Sequence, residues 1–128
     1  MNSPTVSILL PVRNEEKNIQ ELIASILSQD YPDEMDILVV DGMSTDKTRE
    51  IIAGIKGQHA GINLRILDNP GKIVPTGMNV ALREAQGGYI VRIDGHTIIA
   101  QNYVRNCVEL LRSRGAENVG GRMNAVGF

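Results

Sequence analysis

The segment VRIDGHTI puts an aspartate, Asp94, at the end of an apolar run and a histidine, His96, two residues later. A carboxylate and an imidazole at that spacing can converge on one divalent cation, the first as a hard oxygen ligand and the second as a nitrogen ligand. Other polar groups follow other apolar runs. Arg13, Asn14 and Glu15 follow VSILLPV, Asp41 closes MDILVVD ahead of Ser44, Thr45 and Asp46, Asp68 and Asn69 close INLRILD, and Lys72 comes shortly after. Each has a local alternative. Asn14 and Glu15 suit the start of a helix, Asp41 suits a turn, and Ser44, Thr45 and Asp46 suit helix capping. Lys72 reads equally as a solvated loop lysine, and His96 alone as a structural or exposed residue. Asp94 has the weakest local explanation, because a carboxylate ending a buried strand needs a partner.

The surrounding elements decide whether these groups can meet. VSILLPV, from Val6 to Val12, reads as a buried strand whose end is made irregular by Pro11. A helix from about Asn18 follows, with Ile19, Leu22, Ile23, Ile26 and Leu27 on one face, a capping box of Asn18 and Glu21, and a turn at Tyr31-Pro32-Asp33. Met35 to Asp41 is a second strand. The next helix is capped by Ser44 or Thr45, carries Asp46 in its first turn, buries Ile51, Ile52 and Ile55, and stops at Gly57. Residues 62–68 alternate as a third strand. Asn69-Pro70-Gly71 turns into a loop and a helix that aligns Met78, Ala81, Leu82 and Ala85 and ends at Gly87-Gly88. Residues 89–94 form a fourth strand, residues 102–114 a helix facing inward with Val104, Cys107, Val108 and Leu111, and AENVGGRM begins a last strand.

A strictly alternating β-α order implies a three-layer α/β/α domain with a mostly parallel sheet. Ligands of such sheets bind at the carboxyl ends of the strands, which is where the groups above collect. This edge has neither GxGxxG after the first strand nor GxxxxGK[ST], which disfavours a dinucleotide site and a P-loop. An acidic edge can still take a diphosphate when a divalent cation bridges the two.

Composition narrows the classes further. At 128 residues the chain suits one domain, and 42% hydrophobic residues suit a folded one. Aromatics at 3% leave an aliphatic core, of the kind buried parallel strands prefer. A net charge of -2 without a basic run argues against nucleic acid. The one cysteine, Cys107, permits no intrachain disulfide or Cys-based zinc site and reads as a core residue. No secretory signal and no membrane-length apolar run is present.

Taken together, the ordered motifs VSILLPVRNEE, ILVVDGMSTDKT, NPGKIVPTGMNVALREAQGGYIVRIDGHT and VGG resemble family 2 glycosyltransferases of the GT-A, Rossmann-like nucleotide-diphospho-sugar transferase fold. Asp-Gly-His with Asn-Pro-Gly-Lys upstream is most similar to the succinoglycan-type, exopolysaccharide-building subgroup. The resemblance implies transfer of a sugar, with inversion, from a nucleotide sugar such as a UDP-sugar to a saccharide or lipid-linked acceptor. It implies that Pro11, Val12, Arg13 and Asn14 shape the nucleotide pocket with Glu15 at its rim, and that Asp41 hydrogen-bonds the base. It also places Lys72 near base or diphosphate, Asp94 at the ribose and metal, and His96 in place of a metal-binding aspartate. A cation held by Asp94 and His96 would neutralise charge on the departing diphosphate. Imidazole in place of a carboxylate favours Mn²⁺ over Mg²⁺ and makes metal binding weaken as pH falls.

Family domains run roughly as many residues again and carry the acceptor site and catalytic base, so residues 1–128 are expected to be the donor-binding portion of a truncated domain. Binding with little or no transfer is the corresponding expectation, as is a homodimer or higher oligomer through an open strand edge. A cytoplasmic location follows, at the inner face of the cell membrane for a full-length parent. A nucleotidyltransferase, a non-catalytic nucleotide-binding or regulatory module and a phosphoacceptor receiver domain compete. The first lacks its glycine-rich loop here, and the last lacks an acidic pair after the first strand.

Overall fold

Strand β1, Val6–Val12, is buried along its whole length and forms the middle of a five-stranded sheet ordered β3-β2-β1-β4-β5. The computed structural model describes residues 5–32, 34–59, 61–95, 98–113 and 125–126. The elements after β1 are α1 (Ile19–Leu27), β2 (Met35–Asp41), α2 (Thr48–Gln58), β3 (Leu64–Asp68), α3 (Val74–Glu84), β4 (Tyr89–Arg92), α4 (Tyr103–Ser113) and β5 (Ala125–Val126). All four strand pairings are parallel. The expected order, layers and strand direction are therefore what the chain adopts.

Alternation of side chains divides the core in two. Val6, Ile8, Leu10, Ile37 and Val39 face α1, α2 and α4, meeting Ile23, Ile52 and Val108 among others. Leu9, Leu38, Val40 and Ile90 face α3, where they meet only Ala81 and Ala85, with Met78 and Val80 partly buried. Fully burying an aliphatic side chain is worth about 1.5–3 kcal/mol, so the first face carries most of the burial energy.

At the amino edge the sheet holds a buried polar node. Asp36 accepts hydrogen bonds from Ser7 Oγ at 3.1 Å and from the Gln86 amide at 3.1 Å, and Arg65 pairs with it at 3.2 Å. The Gly87 amide donates in turn to Ser7 Oγ at 2.8 Å. This node ties the start of β2 to the segment that leads from α3 into β4.

Several local expectations are corrected. Asn18 stands at the N-cap of α1 without a side-chain cap bond, so there is no Asn18–Glu21 capping box; its Nδ2 donates to Glu15 at 3.3 Å instead. Lys47, not Ser44 or Thr45, is the N-cap residue of α2, and that helix runs through Gly57 to Gln58. β3 starts at Leu64 rather than 62, β4 stops at Arg92 rather than 94, and Leu82, expected inward on α3, is 37% exposed. Ile51 is only partly buried. Pro11 does not disrupt β1: it sits in register opposite Val40, one pair past Leu10 and two past the last β1–β4 pair, Leu9 with Arg92. Asp33 and all of AENVGGRM lie outside the described residues, and the last strand is described at Ala125–Val126.

Candidate functional site

The connection order reverses at the middle of the sheet. The chain leaves β1 for β2 and β3 on one side and then crosses by α3 to β4 on the other. Such a reversal leaves a crevice at the carboxyl ends of the two strands that part, here β1 and β4. A cavity of about 350 Å³ opens there, bounded by Pro11, Val12 and Arg13 at the end of β1, by Arg92 and Asp94 at the end of β4, and by Asn69, Lys72, Ile73 and Val74 leading into α3. Val40 forms its floor, and Glu15 and Gly95 close one side. Gly95 is pressed against the β1 loop: a Cβ there would lie 3.0 Å from Val12 Cγ1 and 3.1 Å from Glu15 Cγ.

Of the expected residues, the cavity thus brings together Pro11, Val12, Arg13, Glu15, Lys72 and Asp94. Asn14 and Asp41 do not line it. His96 lies outside the described residues. Val40 and Asp41 are adjacent on β2, so when Val40 faces the cavity Asp41 faces the opposite side of the sheet. There it is fully buried. Its Oδ2 accepts from the Ser44 amide at 3.1 Å and from Arg49 Nη1 of α2 at 3.0 Å, while Oδ1 accepts from Ser44 Oγ. Arg49 also reaches Asp68 at 2.7 Å, and these two carboxylates hold its guanidinium pKa above the usual value, Asp68 contributing most.

Asn14 belongs to a clasp that joins the loop after β1 to the loop after β2. Its Oδ1 accepts from the Thr45 amide at 2.8 Å, and its amide donates to Ser44 Oγ at 2.9 Å. Alongside, the Glu15 amide donates to Thr48 Oγ1 at 2.9 Å and the Glu16 amide to Asp46 at 3.2 Å. Asp46 also accepts from the Thr48 amide at 2.9 Å. Desolvation pushes the Asp46 carboxyl upward, but the hydrogen bonds from Thr48 and Glu16 outweigh it and hold the pKa below the usual value. Ser44 and Thr45 therefore bind the neighbouring loop rather than cap α2, whereas Asp46 does both, holding the Glu16 amide and the amide of Thr48, the first residue of α2. Asn14, Met43 and Lys72 all have left-handed backbones, with φ of 53°, 60° and 67°. Non-glycine residues in that region are uncommon, and all three stand in loops at the carboxyl edge.

Charge in the cavity is mixed, with cations in excess. Arg13 Nε donates to the Gly42 carbonyl at 2.9 Å, which fixes that guanidinium across the β1 and β2 loops. Arg92 donates from Nε at 3.2 Å and from Nη2 at 3.0 Å, both to Asp94 Oδ1. Arg92 was absent from the sequence expectation, and so were Ile73 and Val74; Asn69, placed at the end of the third strand, does line the cavity. The signal for Arg92 was parity: it stands two residues before Asp94 and shares its face.

Among the described residues, no group of three or more His, Cys, Asp or Glu side chains is placed to hold a metal ion. Asp94 still fits the role of one carboxylate ligand, because its Arg92 bonds fall on a single oxygen. Mg²⁺-type sites commonly use one or two carboxylates and leave phosphate oxygens and water to complete the shell.

Comparison with known proteins fits this geometry. The family model Glycosyl transferase family 2 matches residues 7–127. The succinoglycan biosynthesis protein ExoA of Rhizobium meliloti is 32% identical over the whole chain, which spans 39% of that protein. A dolichyl N-acetyl-alpha-D-glucosaminyl phosphate 3-beta-D-2,3-diacetamido-2,3-dideoxy-beta-D-glucuronosyltransferase of Methanococcus voltae is 31% identical over 94% of the chain, which spans 40% of that protein. Among solved structures, the mannosyltransferase PcManGT from Pyrobaculum calidifontis, in complex with GDP-Man and Mn²⁺, has a TM-score of 0.81 at 30% identity over 86% of this chain and 33% of that one. S. aureus TarS in complex with UDP has a TM-score of 0.71 at 29% identity, over 87% of this chain and 33% of that one. Both structures share the three-layer parallel architecture expected of the GT-A fold. The family match takes in every element of the sheet, and the chain belongs to glycosyltransferase family 2.

Proposed function

We propose that residues 1–128 form the donor-binding portion of a glycosyltransferase that takes its sugar from a nucleotide diphosphate, with UDP as the carrier. The observation that supports this best is the crevice between β1 and β4, lined by Arg13, Lys72, Arg92 and Asp94 and floored by apolar Val40, Ile73 and Val74. An apolar wall beside converging cations suits a molecule with a flat base at one end and phosphates at the other. The complexes of TarS with UDP and with UDP-GlcNAc, and of PcManGT with GDP-Man and Mn²⁺, support the ligand class.

Cleaving the sugar–phosphate bond builds negative charge on the departing diphosphate. Lys72 and Arg92 would oppose that charge, and Arg13 would help to hold the ligand in the crevice. A divalent cation, when bound, supplies Lewis-acid charge at the same oxygens; Asp94 would hold it, with His96 as the proposed second ligand. The acceptor is a saccharide or a lipid-linked sugar, as the names of the Rhizobium and Methanococcus relatives suggest. We place the work at the inner face of the cell membrane, in the cytoplasm, where a cell-envelope polysaccharide is begun. No helix among the described residues is long and apolar enough to cross a membrane.

Titration calorimetry with UDP, GDP and CTP, each with and without Mn²⁺, tests the proposal. UDP should bind best, and Mn²⁺ should tighten it. Preference for CTP would favour a nucleotidyltransferase, and absence of binding to all three would refute the reading.

A further inference from the structure

We propose that Arg92 is a charge-exchange residue: its guanidinium neutralises Asp94 until a donor binds, then moves to the diphosphate and frees Asp94 for the cation. The inference rests on the donor-site reading above. Arg92 and Asp94 share a face at the end of β4, both line the cavity, and the guanidinium reaches Asp94 Oδ1 through two nitrogens. Their side chains are 34% and 21% exposed, so the pair is partly screened and easily opened. Arg13 is held by a carbonyl and Lys72 makes no ion pair among the described residues. Arg92 is therefore a cavity cation whose release leaves a carboxylate uncompensated.

Phosphate oxygens suit a guanidinium better than a single carboxylate oxygen does, because both arms of the fork can be used on separate acceptors. While Arg92 remains on Asp94, the pair is nearly neutral and attracts a cation poorly. Either ligand alone must open the pair, whereas two ligands together open it once. Nucleotide and metal should accordingly bind with positive coupling, and that coupling is reciprocal.

The test uses Arg92→Gln and Arg92→Lys. Binding of Mn²⁺ alone is read from the electron paramagnetic resonance signal of the free ion, and binding of UDP without metal is read by calorimetry. Arg92→Gln should bind Mn²⁺ alone about five-fold tighter, because a nearby positive charge is gone. It should bind metal-free UDP about ten-fold weaker, because a charge-assisted contact is lost. Arg92→Lys should shift both affinities in the same directions by less, and it carries the test if Arg92→Gln has no cooperative melting transition. Opposite signs for the two ligands are not expected from a general loosening of the site. Weakening of both ligands in a folded variant, or unchanged Mn²⁺ binding, overturns the exchange. If the unmutated chain binds no nucleoside diphosphate under either condition, the donor-site reading falls and this proposal falls with it.

Discussion

Replacing Asn14 separates two contributions that meet in one residue. Its side chain holds the Thr45 amide, and its backbone is left-handed at φ 53°. Asn14→Gly loses the hydrogen bond but adopts the backbone freely; at a partly solvated site this costs about 1 kcal/mol. Asn14→Ala loses the bond and also meets the left-handed penalty, which adds about another 1 kcal/mol. For a domain of this length, 1 kcal/mol corresponds to about 4 °C in melting temperature. Thermal unfolding followed by circular dichroism should therefore show a drop of about 4 °C for glycine and about 8 °C for alanine. Asn14→Asp retains an acceptor and tolerance of the left-handed region, and should melt close to the unmutated chain. Equal losses for glycine and alanine would refute the backbone part of the reasoning, and an unchanged alanine variant would refute the clasp.

Two further outcomes follow from polar groups already described. Asp36→Ala strands Ser7, the Gln86 amide and Arg65 at the amino edge, and should cost about 3–5 kcal/mol in urea unfolding, as breakage of a buried pair does; a loss below about 1 kcal/mol would show that the node is not holding the sheet. Asp46 has a lowered folded pKa, so the folded chain binds fewer protons there than the unfolded chain. Its stabilisation is complete above the unfolded value near 3.8 and is lost as pH falls through the folded pKa. Asp46→Asn should flatten the acid limb of a stability–pH curve below about pH 4, and an unaltered limb would contradict the assignment.

The strands were legible where both faces are buried. β1 and β2 begin and end where their apolar runs do, because continuous burial leaves no other register for them. β3 lies at the edge, is only partly buried, and starts two residues later than its alternation suggests. Helix starts misled for a different reason. Ser44 and Thr45 are good capping residues by type, but the loop carrying Asn14 packs beside them and takes their hydrogen bonds, and Asp46 divides its bonds between the Thr48 amide and the Glu16 amide. Such competition between distant loops leaves no mark in a local window. The crevice was half legible: position at the strand ends brought Arg13 and Asp94 forward and the family resemblance brought Lys72, while the parity of β2 and β4 was needed to turn Asp41 away and bring Arg92 in. Ile73 and Val74 were missed because an exposed apolar pair entering a helix resembles ordinary packing until the cavity beside it is seen.

The uneven covering of the sheet bears on how this crevice moves. α1 and α4 each bury four side chains, most of them large aliphatic groups, whereas α3 itself buries Gly77 and Ala81. Elements with few buried apolar contacts open first in sub-global fluctuations, and amide exchange reports that opening. α3 and the turn before it also supply the Lys72, Ile73 and Val74 wall. A helix seated on the sheet by small side chains is thus the one that a ligand in the crevice would also hold. Part of the binding free energy goes into quieting α3, so occupancy of the crevice should appear as slowed exchange along that helix, well beyond the atoms in contact.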